Sequence, residues 1–365
     1  MRIAIYSPYL DTFGGGERYM LTIAEVLKGK AAVDLLFDEH LSREAKQSHG
    51  LFSLGAEKLR KELAQRFDLD LSKVEVCKAP LGKGSSSIER FFFFQKYDLL
   101  IYLTDGSIFY PTARKNILHI QSPLVGEPGK SLWGKLKLKG WDLIIYNSQF
   151  TKENCKSYWP INSMVIYPPV DIDKVKPLKK KKNILSVGRF FGYLKDKKQE
   201  ILIKAFKDLY KNELKDWSLH LVGSAGEGDK NYLNHLRNLG AGLPIKFYPN
   251  FNYSDLMKLY GQSMIYWHAS GFEENDPTKM EHFGISTVEA MAAGCVPVVI
   301  GRGGQLEIVE DKKSGFLWHD LDQLKKFTLR LTLDNNLWQR LSKEAIERSK
   351  AFSKQKFTKK INEIL

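Results

Sequence analysis

Short apolar segments alternate with longer amphipathic segments along the whole chain. The apolar segments are rich in Ile, Leu, Val and Tyr and are bounded by polar turns, whereas the segments between them repeat apolar residues with a helical period. Strands that alternate with helices in this way form parallel sheets with helices on their faces. The pattern therefore predicts the α/β fold class.

The alternation of strands and helices occurs in two series. In the first series we predict strands at residues 3–6, 34–37, 99–102, 116–119, 143–146 and 164–167, and the second series begins with a strand at 183–187. Three prolines, Pro168, Pro169 and Pro177, and four lysines at 179–182 separate the series, as expected of a linker. We therefore predict two Rossmann-like domains facing a cleft, with a boundary near residue 171.

Length and composition fit two domains with cores of their own. The chain has 365 residues, of which 43% are hydrophobic, and no apolar run is long enough to cross a bilayer. Residues 1–6 resemble a buried strand rather than a signal peptide, so we expect a cytoplasmic protein. The three cysteines, Cys77, Cys155 and Cys295, lack metal-ligand spacing, which argues against a zinc site or a disulfide framework.

A net charge of +14 favours an anionic partner. Residues 131–141 interleave lysines with Trp133, Leu136, Leu138 and Trp141, and residues 90–96 combine phenylalanines with basic ends. Segments of this kind contact the headgroups of anionic membranes, so peripheral contact with the cytoplasmic membrane face is one interpretation. The alternative is that the lysines form a solvated face and the phenylalanines belong to the core. No nucleic-acid-binding motif accompanies the charge, so nucleic acid is not an expected partner.

The segment 281–294 combines two carboxylates with a glycine turn and the start of a helix. Gly284 allows a ligand to approach the backbone closely, and a helix that begins near Thr287, with Ser286 as its N-cap, directs free N–H groups at a phosphate. Glu281 and Glu289 then lie beside a sugar attached to that phosphate. In the alternative interpretation, Ser286 and Glu289 form a capping box with a purely structural role.

The order of motifs resembles the family-4 retaining glycosyltransferases, also described as glycosyl transferases group 1, whose fold is GT-B. The resemblance covers nearly the whole chain. It is carried by these motifs: Gly14-Gly-Gly-Glu-Arg18, Ser186-Val-Gly-Arg189, Lys198-Gln-Glu200, Leu219-His-Leu-Val-Gly223, Glu281-His-Phe-Gly-Ile285, Glu289-Ala-Met-Ala-Ala-Gly294, Gly301-Arg-Gly-Gly-Gln305 and Ser314-Gly-Phe316. It implies an acceptor-binding domain over 1–170, a nucleotide-sugar-binding domain over 171–345 and a C-terminal helix over 346–365 that returns to the first domain.

The resemblance also implies roles for residues of the second domain. Arg189 and Lys198 match cations that bind the donor diphosphate, although three charged residues before Lys198 leave Lys197 as an alternative. Glu281 is expected to contact the transferred sugar and Glu289 the ribose. The remaining residues expected to bind the donor are Phe283, Gly284 and Ile285 along the sugar and phosphate, and Asn250 and Phe251 beside the base.

Three residues of the first domain are further candidates. Gly15 and Gly16 follow the first strand, where their backbone can approach phosphate or sugar oxygens, but an ordinary tight turn explains them equally well. His119 lies at the end of a strand, where the family has a histidine close to the sugar. We expect it to donate or accept a hydrogen bond there, although a structural role stays open.

By this resemblance the chain is expected to be a retaining glycosyltransferase without a metal or other cofactor. The expected partners are a nucleotide sugar, with GDP-mannose favoured, and a glycan or lipid-linked acceptor. Donors of the UDP-glucose, UDP-galactose or UDP-N-acetylglucosamine type are one alternative. Others are a catalytically silent protein that binds sugar nucleotides and a phosphorylase or epimerase with the same fold. The acidic segment 271–280 is a candidate lid or acceptor contact.

Overall fold

The computed structural model describes residues 1–8, 10, 14–38, 55–81, 85–126 and 128–365. Its internal contacts divide the chain into unit 1, which comprises Met1–Pro169 and Gln355–Leu365, and unit 2, which comprises Val170–Lys354. The returning segment begins later than residue 346 because a helix at Asn335–Ser349 still packs within unit 2. That helix lies against the helix Ile285–Ala292.

Unit 1 contains a seven-stranded parallel sheet in the order β3-β2-β1-β4-β5-β6-β7. The strands are β1 Arg2–Tyr6, β2 Ala32–Asp38, β3 Val74–Ala79, β4 Leu99–Leu103, β5 Lys115–Ile120, β6 Leu143–Tyr146 and β7 Ser163–Val165. The described helices are α1 Gly15–Leu27, α2 Ala56–Phe67, α3 Ser87–Phe94, α4 Leu132–Lys139 and α5 Gln149–Cys155, and α13 is Lys354–Glu363 at the C-terminus. The sequence pattern did not predict β3.

The sheet of unit 1 has an apolar core on each face. Helices α1 and α2 pack on one face together with α13, which contributes Phe357 and Ile361. Phe357 meets Tyr19 of α1 edge to face, with ring centroids 5.0 Å apart. Helices α3, α4 and α5 cover the other face. The predicted return of the C-terminal helix to the first domain is therefore confirmed.

Unit 2 contains a six-stranded parallel sheet in the order β10-β9-β8-β11-β12-β13. The strands are β8 Lys181–Val187, β9 Ser218–Gly223, β10 Ile245–Pro249, β11 Ser263–His268, β12 Val296–Ile300 and β13 Phe316–Trp318. The helices are α6 Gln199–Asn212, α7 Lys230–Leu239, α8 Tyr253–Gln262, α9 Ile285–Ala292, α10 Gln305–Ile308, α11 Leu321–Leu333 and α12 Asn335–Ser349. Two parallel-sheet units of this kind are the architecture of the GT-B fold, and the predicted fold class is confirmed.

The strand order of each sheet reverses at one point. In unit 2 the chain moves outward from β8 to β9 and β10, and then returns to the other side of β8 with β11. Loops that leave the carboxyl ends of two such strands diverge, which opens a crevice where ligands of α/β proteins bind. A ligand site of unit 2 is therefore expected at the switch point between β8 and β11.

Among the helices of the described residues, none combines the length and the apolar character that a membrane span requires.

Candidate active site

Charged side chains converge at the switch point of unit 2. Arg189 follows the end of β8 and is exposed, and its guanidinium carbon lies 4.6 Å from the ring centroid of Phe191. His268 ends β11 and is buried. Glu281 follows the acidic segment and lies beside both Lys197 and His268. The site therefore combines cations from the loop after β8 with a carboxylate from the loop after β11.

The carboxylate of Glu281 is held between two donors. Lys197 Nζ lies 2.9 Å from Glu281 Oε2, and His268 Nε2 lies 3.1 Å from the same oxygen. Burial alone would raise the pKa of Glu281, but the charge of Lys197 and the hydrogen bond with His268 hold that pKa well below its usual range. Burial likewise opposes the charge of Lys197, but Glu281 and Asp196 keep its pKa raised. Both groups are charged at neutral pH.

The structure distinguishes the two candidate lysines. Lys197 lies beside Glu281 and within electrostatic reach of Arg189. Lys198 instead pairs with Glu274 of the acidic segment, at 2.5 Å, and has left-handed backbone at φ 52° immediately before α6. The cation that accompanies Arg189 and Glu281 is thus Lys197, the alternative that the sequence left open. Lys198 holds the acidic segment, together with Arg302, which donates to the carbonyl of Glu274.

The predicted N-cap of the helix after Glu281 is wrong. Helix α9 begins at Ile285 with Gly284 as its N-cap, so Ser286 lies inside the first turn and its hydroxyl accepts a hydrogen bond from Tyr266. Gly284 has φ 121°, which few other residues adopt, and this geometry lets the helix begin two residues early. Glu289 therefore lies beyond the first turn, where it accepts a hydrogen bond from Tyr260 and does not form the capping box.

Close backbone packing shapes the start of α9. Gly304 donates its N–H to the carbonyl of Glu281 at 2.7 Å, and a side chain on Gly304 would collide with the backbone of buried Phe283. The amide of Gln305 lies against Gly284, and neither of its polar atoms has a partner among the described residues, although both are buried. The N–H groups at Ile285 and this amide are suited to an oxyanion such as a phosphate.

Asn250 and Phe251 follow the end of β10. Asn250 has left-handed backbone at φ 54°, and its side-chain amide forms two hydrogen bonds with the backbone of Ala225, at 3.0 and 2.9 Å. The ring of Phe251 lies 4.7 Å from that of Tyr248. Asn250 thus joins the loops after β9 and β10, and its predicted contact with a base stays a prediction.

The candidate residues of unit 1 are linked to one another by a series of contacts. Gly15 and Gly16 are the first residues of α1, and a side chain on Gly16 would meet the amide of Gln121. Gln121 in turn bonds to His119 Nε2 at 3.0 Å, and His119 Nδ1 donates to the carbonyl of Ile145 at 3.0 Å. His119 is fully buried and stacks on Tyr19. Gln121, which the sequence analysis did not select, is therefore placed between His119 and the glycine turn.

The burial of His119 predicts a pH dependence of stability. Burial lowers the pKa of His119 from 6.5 to about 3, so below pH 6.5 the unfolded chain binds a proton that the folded chain excludes. For each pH unit below about 6, the unfolding free energy of the wild type should then fall by about 1.4 kcal/mol relative to that of a His119→Gln variant. Urea unfolding of both proteins at neutral and mildly acidic pH measures this difference. Parallel pH dependences of the two proteins would contradict it.

The aspartates of the Asp-x-Asp triplets in this chain have structural roles. Triplets occur at 68–70, 171–173 and 320–322. Asp68 ends α2, Asp70 pairs with Lys28, Asp171 pairs with Lys174, and Asp320 caps α11. In the described part of the chain, one cluster of potential metal ligands comprises Asp34, Glu75 and Cys77, but Asp34 is already bonded to Arg2 and Tyr97. Neither arrangement adds a metal ligand to the site around Glu281.

Comparison with known proteins shows which family unit 2 resembles. Residues 170–348 match the sequence profile of the family Glycosyl transferases group 1. This segment covers nearly all of unit 2 and every residue of the site around Glu281. Unit 2 is therefore similar to this family, and the predicted resemblance to group 1 glycosyltransferases is confirmed.

Individual relatives are similar over part of their length. The chain is 30% identical over 202 residues to spore coat protein SA of Bacillus subtilis, which covers 54% of this chain and 48% of that protein. It is 31% identical over 198 residues to the GDP-Man:Man(3)GlcNAc(2)-PP-Dol alpha-1,2-mannosyltransferase of Mus musculus, which covers 48% of this chain and 38% of the relative. The chain thus spans about half or less of the length of these relatives.

One solved structure illustrates the shared fold. The Anabaena protein Alr3699/HepE, in complex with UDP and glucose, superposes with a TM-score of 0.71 at 20% sequence identity. The match covers 100% of this chain and 99% of that one. At this identity the similarity establishes the fold.

Proposed function

We propose that this chain is a retaining glycosyltransferase that transfers a hexose from a nucleotide-diphosphate sugar to a glycan or lipid-linked acceptor. The observation that carries the proposal is the arrangement of Arg189, Lys197 and Glu281 beside the glycine-capped start of α9. A departing diphosphate needs positive charge and N–H donors, which the two cations and α9 offer. The carboxylate of Glu281 is suited to the hydroxyls of the sugar.

The proposed reaction is displacement on one face of the sugar. The bond between the anomeric carbon and the diphosphate oxygen breaks, the acceptor oxygen bonds to that carbon on the same face, and the leaving phosphate takes the acceptor proton. The developing negative charge on the diphosphate is stabilised by Arg189 and Lys197 in place of a metal ion. We therefore propose metal-independent transfer, and strong inhibition by EDTA would contradict it.

GDP-mannose is the favoured donor because a GDP-mannose-dependent enzyme is among the curated relatives. A UDP-sugar is the second candidate, because a protein of the same fold binds UDP and glucose. Calorimetric titration with GDP and UDP, with ADP as the control, distinguishes the two. Preference for GDP supports mannosyl transfer, and preference for UDP supports a glucose-type donor. Absence of binding to all three nucleotides would overturn the transferase proposal.

We also propose peripheral contact with an anionic membrane through α3 and α4. Both helices bury one side, with Phe94 and Leu138 in the same core, and expose apolar residues on the other. The exposed residues are Ile88, Phe91 and Phe92 on α3, and Leu132, Trp133 and Leu136 on α4. Lys135 and Lys139 are exposed on α4 beside them. Apolar residues flanked by lysines are suited to an interface with anionic lipid headgroups.

Removing apolar residues from α4 should weaken this contact. Trp133→Ser combined with Leu136→Ser is expected to reduce binding to phosphatidylglycerol vesicles at least about tenfold, since each side chain loses apolar burial. Leu333→Ser is the control, because Leu333 is an apolar residue of unit 2 that is even more exposed, and this substitution should leave vesicle binding unchanged. Flotation with phosphatidylglycerol and phosphatidylcholine vesicles measures the binding. If no vesicle binds, or if the double variant binds like the wild type, the proposed contact is wrong.

A further inference from the structure

His268 is a buried polar residue that ends an apolar strand. It is 3% exposed and follows Tyr266 and Trp267, which belong to the interior of unit 2. Its Nε2 lies 3.1 Å from Glu281 Oε2, so its one hydrogen bond to a described residue is with the proposed sugar-binding carboxylate. A buried histidine that touches a site carboxylate but lies behind it is placed to orient that carboxylate.

The two donors on Glu281 share one of its oxygens. Lys197 Nζ lies 2.9 Å from Oε2, the same atom that His268 contacts. Among the described residues no donor contacts Oε1, and the Glu281 side chain remains 19% exposed. A carboxylate can accept several hydrogen bonds, so Oε1 stays available to a ligand while Oε2 is fixed. The geometry thus gives the two oxygens different tasks.

The surroundings of His268 also favour one tautomer. Its Nδ1 is buried and has no partner in the described part of the structure. A proton on Nδ1 would be a buried donor without an acceptor, which is costly, so the proton is favoured on Nε2. His268 then donates to Oε2 and adds directional hydrogen bonding to the charge that Lys197 provides.

We infer that His268 is a positioning residue for the donor sugar, acting through Glu281. It fixes Oε2 so that Oε1 faces the hydroxyls of the transferred sugar. This inference rests on the proposed function, because it assigns the sugar to Glu281. It differs from a general packing role in one respect: loss of the His268 donor should weaken binding of the sugar part of the donor and leave binding of the nucleotide part unchanged.

Two substitutions at His268 test the inference. His268→Phe fills a similar volume without a donor, and His268→Gln supplies an amide N–H at a comparable reach. Calorimetry would use GDP and GDP-mannose together with UDP and UDP-glucose. We expect His268→Phe to weaken binding of the matching sugar nucleotide at least about tenfold, while affinity for the bare nucleotide changes less than about twofold. His268→Gln should restore most of the loss.

A double substitution tests whether His268 acts through Glu281. In a Glu281→Gln background, His268→Phe should cause little further loss, because the carboxylate that it orients is already absent. An undiminished tenfold loss in that background would overturn the inference. So would equal weakening of nucleotide and sugar-nucleotide binding in the single variant, which indicates a structural role. If the wild type binds nucleotides but no sugar nucleotide, the proposed function fails, and this inference fails with it.

Discussion

Lys197→Met should reduce sugar transfer by about a hundredfold to a thousandfold, because it removes a cation that lies beside Glu281 and within electrostatic reach of Arg189. Methionine retains much of the side-chain volume, so packing against Gly188 is largely preserved. Without Lys197 the partly buried carboxylate of Glu281 loses its principal counter-charge, and its pKa should rise toward the usual range. Turnover measured with saturating donor shows whether the loss falls on the chemical step.

Lys198→Met is the matched control for this prediction. Lys198 is adjacent in sequence and similar in exposure, but its ammonium pairs with Glu274 instead of Glu281. We expect its activity to fall about tenfold at most. Thermal unfolding of both variants would exclude loss of folded protein as the cause. Equal losses of activity, or a larger loss at Lys198, would show that the diphosphate cation is not Lys197.

The sheets of both units could be predicted from the sequence because burial leaves a strong pattern. Parallel strands are covered on both faces, so they appear as continuous apolar runs such as residues 143–146. Strand β3 was missed because it alternates instead: Val74 is buried, Glu75 is exposed and Val76 is buried. The runs identify the strands, but which strands become neighbours is decided by long-range packing.

The choice between Lys197 and Lys198 could not be made from residue types. Two left-handed residues, Lys195 and Lys198, turn the backbone within four positions, and such turns decide where each side chain points. The run of four charged residues at 195–198 offers no signal for that geometry. The N-cap at Ser286 was predicted wrongly for a related reason. Gly284 adopts φ 121°, and the residue that packs against it, Gln305, lies about twenty positions further along the chain. His268 was overlooked because it ends an apolar strand, where a polar residue usually has a structural role in the core.

A single methyl group at Gly303 should strongly disturb the site. It has φ 62°, and a Cβ atom there would lie 2.3 Å from the carbonyl oxygen of Glu281. Backbone cannot rotate away as a flexible side chain can, so the turn at 303–304 or the segment carrying Glu281 must shift. The neighbouring hydrogen bond from Gly304 to the same carbonyl would be lengthened or lost. Gly303 therefore couples the β12–α10 loop to the position of the carboxylate.

Gly303→Ala is expected to cost about 2–4 kcal/mol of unfolding free energy and to abolish measurable sugar-nucleotide binding. Left-handed backbone costs alanine about 1–2 kcal/mol, and the steric conflict adds a further cost of similar size. Gly242→Ala separates the backbone cost from the steric cost. Gly242 also has left-handed backbone, at φ 74°, but a Cβ there would meet nothing within 4 Å. That control should lose about 1–2 kcal/mol and keep its binding. Urea unfolding and calorimetry on both variants measure the two effects. If the two variants were equally destabilised and Gly303→Ala still bound the sugar nucleotide, the contact between Gly303 and Glu281 would not shape the site.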